Sequence, residues 1–279
     1  MHTISGRFGF RPITIVSSIL CLLVVFLIPL GGPGLAAAAP ESWTGHRGKI
    51  PFSKAKMIIE FNSTANEGVG DVGVQVLLDG EPWQSLKIED PDERTILNIR
   101  ANSSLRKQGL TELFFESSEP SLDETPLADF LARFPEGNYE FEGRTIDGQQ
   151  IEGVATFTHI IPAGPVIVSP EEGDTVDVTE PLSIRWETVT SKVEGSGEGD
   201  LEIVGYEVIV ERTDNDELGA APRTFDIKLA ATSAPVQSAT VPPEFLEPGR
   251  EYKFEVLAIE KGGNQTISEG GPFMTNATP

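Results

Sequence analysis

From about residue 50 onward, large apolar and polar side chains alternate with a period of two, in short runs separated by turn residues. KMIIEF (56–61), VGVQVLL (72–78), TILNI (95–99), ELFFE (112–116), NYEFEGRTI (138–146) and IEGVATFTHI (151–160) have this form, which places one face of each strand in a core and the other outside. Asp79-Gly80 and Asp147-Gly148 fall between such runs, and Asp-Gly readily takes the positive-φ conformations of a two-residue hairpin turn. Two hairpins are therefore expected. Pro82 cannot donate to a ladder, so its strand is expected at a sheet edge.

One segment has a different period. In TPLADFLARFPEG (125–137), Leu127, Phe130, Leu131 and Phe134 fall at i, i+3, i+4 and i+7, the stripe of a short amphipathic helix. Thr125 is placed to cap it, Pro126 suits its first turn, and Pro135 with Gly137 ends it. A stripe this narrow is expected to face its own core.

IPAGPVIVSP (161–170) carries three prolines and separates two halves. Beyond it the period of two returns: Leu182, Ile184 and Trp186 alternate with Ser183 and Arg185, and Tyr206, Val208 and Val210 with Glu207 and Glu211. SKVEGSGEGD (191–200) is a loop by composition. In FLEPGREYKFEVLAIEKGGN (245–264), Pro248-Gly249 turns the chain into a strand whose Tyr252, Phe254, Val256 and Ala258 share one face. A Tyr at that point can cover the end of a sandwich core while its hydroxyl bonds back to the preceding turn, the tyrosine corner of immunoglobulin-like sandwiches.

On these residues the second half resembles a fibronectin type III domain. A Pro-rich first strand (PVIVSP), a Trp-bearing second (LSIRWE), a Tyr-initiated third (YEVIVE), LEPGREYKFEVLAIEKGGNQT and a last strand ending PFMT follow in the order of that family, over residues 165–275. The resemblance implies a seven-stranded antiparallel sandwich used as a spacer or binding module. Trp186, Tyr206, Leu246 and Tyr252 are accordingly expected to be structural. The adhesive Arg-Gly-Asp tripeptide of the family is absent, and KGGNQ (261–265) stands in the corresponding loop. In the first half, FPEGNYEFEGRTIDGQQIEGVATFT resembles the closing strands of bacterial immunoglobulin-like modules. The fold class expected is all-β: an immunoglobulin-like β-sandwich over 51–162 with one short helix, then a fibronectin type III domain over 163–279.

The N-terminus adds a location. Arg7 and Arg11, the largely apolar run ITIVSSILCLLVVFLIPL (13–30) and the small residues of GLAAAAP form an export signal over 1–39, followed by a flexible leader over 40–50. Cleavage near Ala37 or Ala38 gives a secreted or periplasmic protein with no membrane span in the mature chain. An uncleaved signal leaves an N-terminal membrane anchor. The single Cys21 lies inside this signal, so disulfides, thiolate nucleophiles and Cys-ligated metals are excluded from the mature chain.

The charge excludes further classes. With 43 acidic against 21 basic residues the chain has a net charge of −22, which repels nucleic acid. An unknown extracytoplasmic protein or glycan is the partner expected. Catalysis finds little material: His46 lies in the leader, His159 in a strand register, and neither has a Gly-x-Ser-x-Gly motif beside it. The chain is expected not to be an enzyme and to use no cofactor.

Calcium is the one metal considered, because it takes carboxylate and carbonyl oxygens on loops. Asn62, Asn66 and Asp71 in NSTANEGVGD form the site expected to bind it weakly, with Asp90, Asp92 and Glu93 as a second polar turn. Asp214 and Asp216 begin like an EF-hand, but Leu218 and Phe225 occupy its fifth and twelfth positions, so that motif fails. Sequons at Asn62, Asn102, Asn264 and Asn276 would carry glycans in a eukaryotic secretory pathway. Finally, Trp83 is a candidate sugar platform if it is exposed on a sheet face.

Overall fold

In the computed structural model, residues 49–213, 223–231 and 235–277 are described. The expected export signal, most of the expected leader with His46, and the DNDELG segment lie outside them. The first half contains β1 (Lys49–Pro51), β2 (Lys54–Asn62), a helical turn α1 (Ala65–Gly68), β3 (Asp71–Glu89), β4 (Thr95–Arg100), α2 (Ser103–Gln108), β5 (Leu110–Glu116), α3 (Leu127–Arg133), β6 (Gly137–Thr145) and β7 (Gln150–Phe157). The second contains β8 (Ile167–Ser169), β9 (Thr175–Val176), β10 (Leu182–Trp186), β11 (Ile203–Arg212), β12 (Thr224–Ala230), β13 (Ser238–Val241), β14 (Glu251–Glu260) and β15 (Gln265–Thr275). The protein is thus mostly β, and no helix among the described residues is long and apolar enough to cross a membrane. β1 begins at Lys49, so the last residues of the expected leader are part of a sheet.

The alternation does what its period requires. In β10, Leu182, Ile184 and Trp186 are buried while Ser183 and Arg185 are exposed; in β6, Tyr139 and Phe141 are buried while Glu140 and Glu142 are exposed. Asp147-Gly148 makes the expected hairpin between β6 and β7, with Gly148 at φ +83° and its N–H donating to Thr145 O.

Asp79-Gly80 does not turn. β3 runs through it for 19 residues, pairing with β2 and β5 before it and with β4 and β6 after it. One strand therefore serves both layers of the first sandwich, and the register slips between Asp79 and Trp83, where it crosses over. Gly80 is needed there for room: a Cβ would sit 2.7 Å from Phe52 Cδ1 and 3.1 Å from Ile151 Cδ1. Pro82 lies at this crossing and its carbonyl accepts from Ile146 N–H.

The core between those layers includes Met57, Ile59, Phe61, Val76, Trp83, Ile88, Tyr139, Phe141 and Phe157. Phe130 and Leu131 of α3 close it, so the helical stripe does face its own core. The helix starts without a side-chain cap: Pro126, not Thr125, occupies the capping position.

The second half has sheets β13-β10-β8 and β15-β14-β11-β12, with β9 on β15. This is a two-sheet sandwich of the kind the fibronectin type III resemblance implies, differing from the expectation in having eight strands and in the parallel pairing of β9 with β15. Its own core includes Ile184, Trp186, Tyr206, Val208, Tyr252, Phe254 and Phe273. The two cores are separate clusters, yet one 12-stranded sheet runs through both halves, because β15 pairs in parallel with β2.

Candidate functional site

The expected structural residues converge at the second core. Trp186 and Tyr206 pack with ring centroids 5.2 Å apart, and the Tyr206 hydroxyl accepts from Val189 N–H at 3.0 Å. The Tyr252 hydroxyl accepts from Glu247 N–H at 2.9 Å, closing the tyrosine corner, with Leu246 buried beside it. A second corner stands in the first half, where the Tyr139 hydroxyl donates to Pro135 O at 3.1 Å. All of these are framework groups, and none reaches an open surface with a reactive atom.

The densest polar chemistry lies where the halves meet. β2 and β15 pair from Glu60↔Gln265 to Asn62↔Ile267. Asn264 is 2 % exposed; its Nδ2 donates to Thr158 O, Thr158 Oγ1 and Ile160 O at 2.9–3.1 Å, and its Oδ1 accepts from Ile59 N–H at 2.8 Å. Thr266 Oγ1 donates to Pro162 O, and Ser63 Oγ to Ile267 O. On the other side of the linker, Val193 N–H donates to Ile161 O, Ala163 N–H donates to Ser191 O, and Gly197 N–H donates to His159 O. The linker is thus held on both sides. Backbone groups of 191–197 and the Asn264 side chain make this joint, while Glu194, Glu198, Asp200 and Lys261 stay exposed on the same two loops.

Beside the joint, carboxylate oxygens of Glu60, Glu116 and Glu119 lie within 4.8 Å of one another. Glu60 is buried and receives a hydrogen bond from Gln265 Nε2, while Glu116 accepts from Gln75 Nε2 at 3.0 Å. Burial pushes the Glu60 carboxyl up to about 8, against the Gln265 bond and with the help of Glu116; burial and the Glu116 charge bring Glu119 to about 8 as well. Glu255, half-buried on β14, is pushed up to about 7, chiefly by desolvation. Glu60 and Glu119 therefore hold protons more tightly than ordinary carboxyls, and the three carboxylates together have the donor type a divalent cation requires. Sequence reading missed this group, because Glu60 is on the outward-facing parity of β2 and is covered by residues remote in sequence, Glu116 and Glu119 on one side and Gln265 on the other.

Of the calcium candidates, Asn62 and Asp71 stand opposite each other at the end of the β2–β3 ladder. Asn62 Oδ1 accepts from Thr64 N–H, Thr64 Oγ1 and Ala65 N–H, so it caps a turn, and its Nδ2 donates to Glu269. Asp71 opens β3, bridged to Ser121; the Asn66 side chain lies outside the described set. Asp90 accepts from Asp92 N–H, Arg94 N–H and Arg94 Nε, again a turn. Among the sequons, Asn102 is exposed, Asn62 and Asn276 are half-buried, and Asn264 is enclosed in the joint. An attached glycan could not be accommodated at Asn264 in this fold. His159 packs edge-on against Phe157, with Nε2–H donating to Phe134 O at 2.7 Å. Trp83 is fully buried, which removes it as a sugar platform: it lies at the strand crossing, inside both layers.

No family model matches the chain, and no curated protein matches it. Among solved structures it is similar to the FN1-FN3 domains of chicken CNTN1 (11 % identity, 82 % of this chain and 65 % of that one, TM-score 0.29). It is also similar to the fibronectin(III)-like modules of Clostridium thermocellum CbhA (11 %, 81 % and 93 %, 0.26) and to a Ca2+-stabilized adhesin of an Antarctic bacterium (14 %, 80 % and 49 %, 0.28). The chain spans just under two thirds of the chicken fragment and about half of the adhesin fragment. These are likenesses to modular β-sandwich chains, and at such scores they carry no functional argument; the fold rests on the strand pairing itself.

Proposed function

We propose that the chain is an exported, non-catalytic binding or scaffolding module in which two β-sandwiches, 51–162 and 163–279, act as one body outside the cytoplasm. The observation that carries this reading is the joint. A parallel β2–β15 pairing and a buried Asn264 bind the halves through main-chain and side-chain hydrogen bonds, a construction suited to holding surfaces at fixed separation. Loops 191–200 and 261–265 are anchored by that joint, and the surfaces open to a partner are sheet faces, strand edges and the exposed parts of the loops. Strand interiors are occupied by the two cores.

Affinity capture from the native cell envelope tests this reading, with the full-length protein as bait and an unrelated β-sandwich of similar charge as control. Recovery of an extracytoplasmic macromolecule by the bait and not by the control is expected. Recovery of shared background alone, or turnover of a substrate by the purified protein, would overturn it.

A further inference from the structure

The outer face of the first sandwich, formed by β4, the second part of β3, β6, β7 and β1, carries a groove of ≈ 230 Å³. Four cations line it, Lys49, Lys87, Arg100 and Arg144, against two carboxylates, Glu142 and Glu152. In a chain of net charge −22 this is a local inversion of sign. Lys49 pairs with Glu152, and Lys87 with Glu142 at 3.0 Å and with Glu89 at 2.8 Å, so the lysines neutralise the groove's own acids. The two arginines are left over. Arg100 makes no hydrogen bond or ion pair through its guanidinium among the described residues, and Arg144 makes one long bond, 3.3 Å, to Gly148 O. Both are exposed.

Their placement is set by the ladder. Ser85 pairs with Arg100 on one side and with Arg144 on the other, so the two stand in one row across β3, two strand spacings or about 10 Å apart at Cα. Ser85, Asn98 and Gln150 fill the surroundings with hydroxyl and amide groups. The apolar lining residues, Leu86 and Ile151, are each 1 % exposed, so no large apolar side chain is open to a ligand.

We propose that this row binds an acidic polysaccharide, with sugar carboxylates on Arg100 and Arg144 and ring hydroxyls on Ser85, Asn98 and Gln150. Guanidinium holds carboxylate through two parallel charge-assisted bonds, and alternate residues of an extended uronate chain can match the spacing. A neutral glycan would lack partners for the arginines and find no aromatic platform. An acidic peptide gains affinity from main-chain pairing at a strand edge or from apolar anchors. The groove itself offers neither: its central strands β3, β6 and β7 are paired on both sides, and the exposed Val154 lies outside its lining, which leaves strand edges only at the rim, on β4 and β1.

The inference rests on the binding-module reading but is tested apart from it. Full-length protein is titrated calorimetrically at low ionic strength with a galacturonate tetramer, the same tetramer reduced to its neutral form, and a tetraglutamate peptide. Saturable binding of the uronate alone is expected, weakened by added salt and reduced roughly tenfold or more in the Arg100→Gln/Arg144→Gln variant. Both positions are exposed, and an unchanged circular dichroism spectrum and Tm will show that the variant folds. No heat at millimolar uronate, equal binding by the variant, or equal binding of the neutral tetramer or the peptide overturns the assignment. Specific envelope capture with no uronate binding would sink this ligand and leave the module reading standing.

Discussion

The two cores and the joint between them are built from opposite materials. The cores are apolar and closed: Ile59, Val76, Phe141 and Phe157 in one, Ile184, Val208, Phe254 and Phe273 in the other, all at 0–1 % exposure. The joint is equally buried but polar, with Glu60, Glu260, Asn264, Thr266 and Ser268 at 0–4 %. Burying apolar area is non-directional and tolerates many shapes. A buried polar group must find its partner or lose its full desolvation energy. The difference teaches that each half is held together by hydrophobicity, whereas their mutual geometry is specified by hydrogen bonds that exist in one arrangement only.

The sharpest way to break that contrast is Asn264→Leu, which keeps the branched heavy-atom skeleton and removes four hydrogen bonds. Ile59 N–H and the carbonyls of Thr158 and Ile160 would lose their side-chain partner. A loss of about 3 kcal/mol is expected, lowering Tm by roughly 10 °C, and the Ile59 amide should exchange with solvent faster than amides inside either core. If Tm moves by less than about 1 °C, the joint is not held by its polar groups.

pH probes the same region without mutation. The Glu60 carboxyl is near 8 in the fold against an ordinary 4.5, so between about pH 5 and 8 the unfolded chain releases a proton that the folded chain keeps. Stability contributed by this group is therefore fully present below the ordinary value and is lost as pH rises through the folded one; Glu119 acts in the same direction. Tm is expected to fall on the order of 5 °C from pH 5 to pH 8.5. Self-repulsion of an acidic chain also grows with pH, and Glu60→Gln separates the two effects. That variant retains an oxygen for Gln265, needs no proton, and should exceed the parent in Tm at pH 8.5 with a flatter profile. Parallel profiles for parent and variant would remove Glu60 from the account.

The same division explains what could be read from the chain. Period-two alternation placed β10, β14 and β6 with the correct face inward, and the Pro-Gly-x-x-Tyr pattern located the Tyr252 corner, because both are local signals. Asp79-Gly80 carried the local signature of a turn, but Gly80 answers to Phe52 and Ile151, which are remote in sequence; the strand crosses between layers where a hairpin was expected. The joint was not legible. Glu60 lies on the parity that faces solvent in an isolated hairpin, and Asn264 reads as a loop residue in a glycosylation sequon, until β15 arrives against β2 and encloses both. Arg100 and Arg144 lie 44 positions apart in the sequence and become neighbours only through their common pairing with Ser85.

The smallest expected effect compares the two cores with each other. Tyr139 and Tyr252 hold similar corners, but with opposite polarity: the Tyr252 hydroxyl accepts from an amide, and the Tyr139 hydroxyl donates to a carbonyl. Tyr252→Phe strands the Glu247 N–H, a single-proton donor, whereas Tyr139→Phe frees the Pro135 carbonyl at the sandwich end, where water can take over one of its two lone pairs. About 1–2 kcal/mol is expected for Tyr252→Phe and roughly half that for Tyr139→Phe by chemical denaturation. Both should add to Asn264→Leu without coupling, since neither hydroxyl shares a partner with the joint. Equal losses would mean that the polarity of the corner is immaterial. A strong coupling to Asn264→Leu would mean that cores and joint are one cooperative structure, and the contrast between them would dissolve.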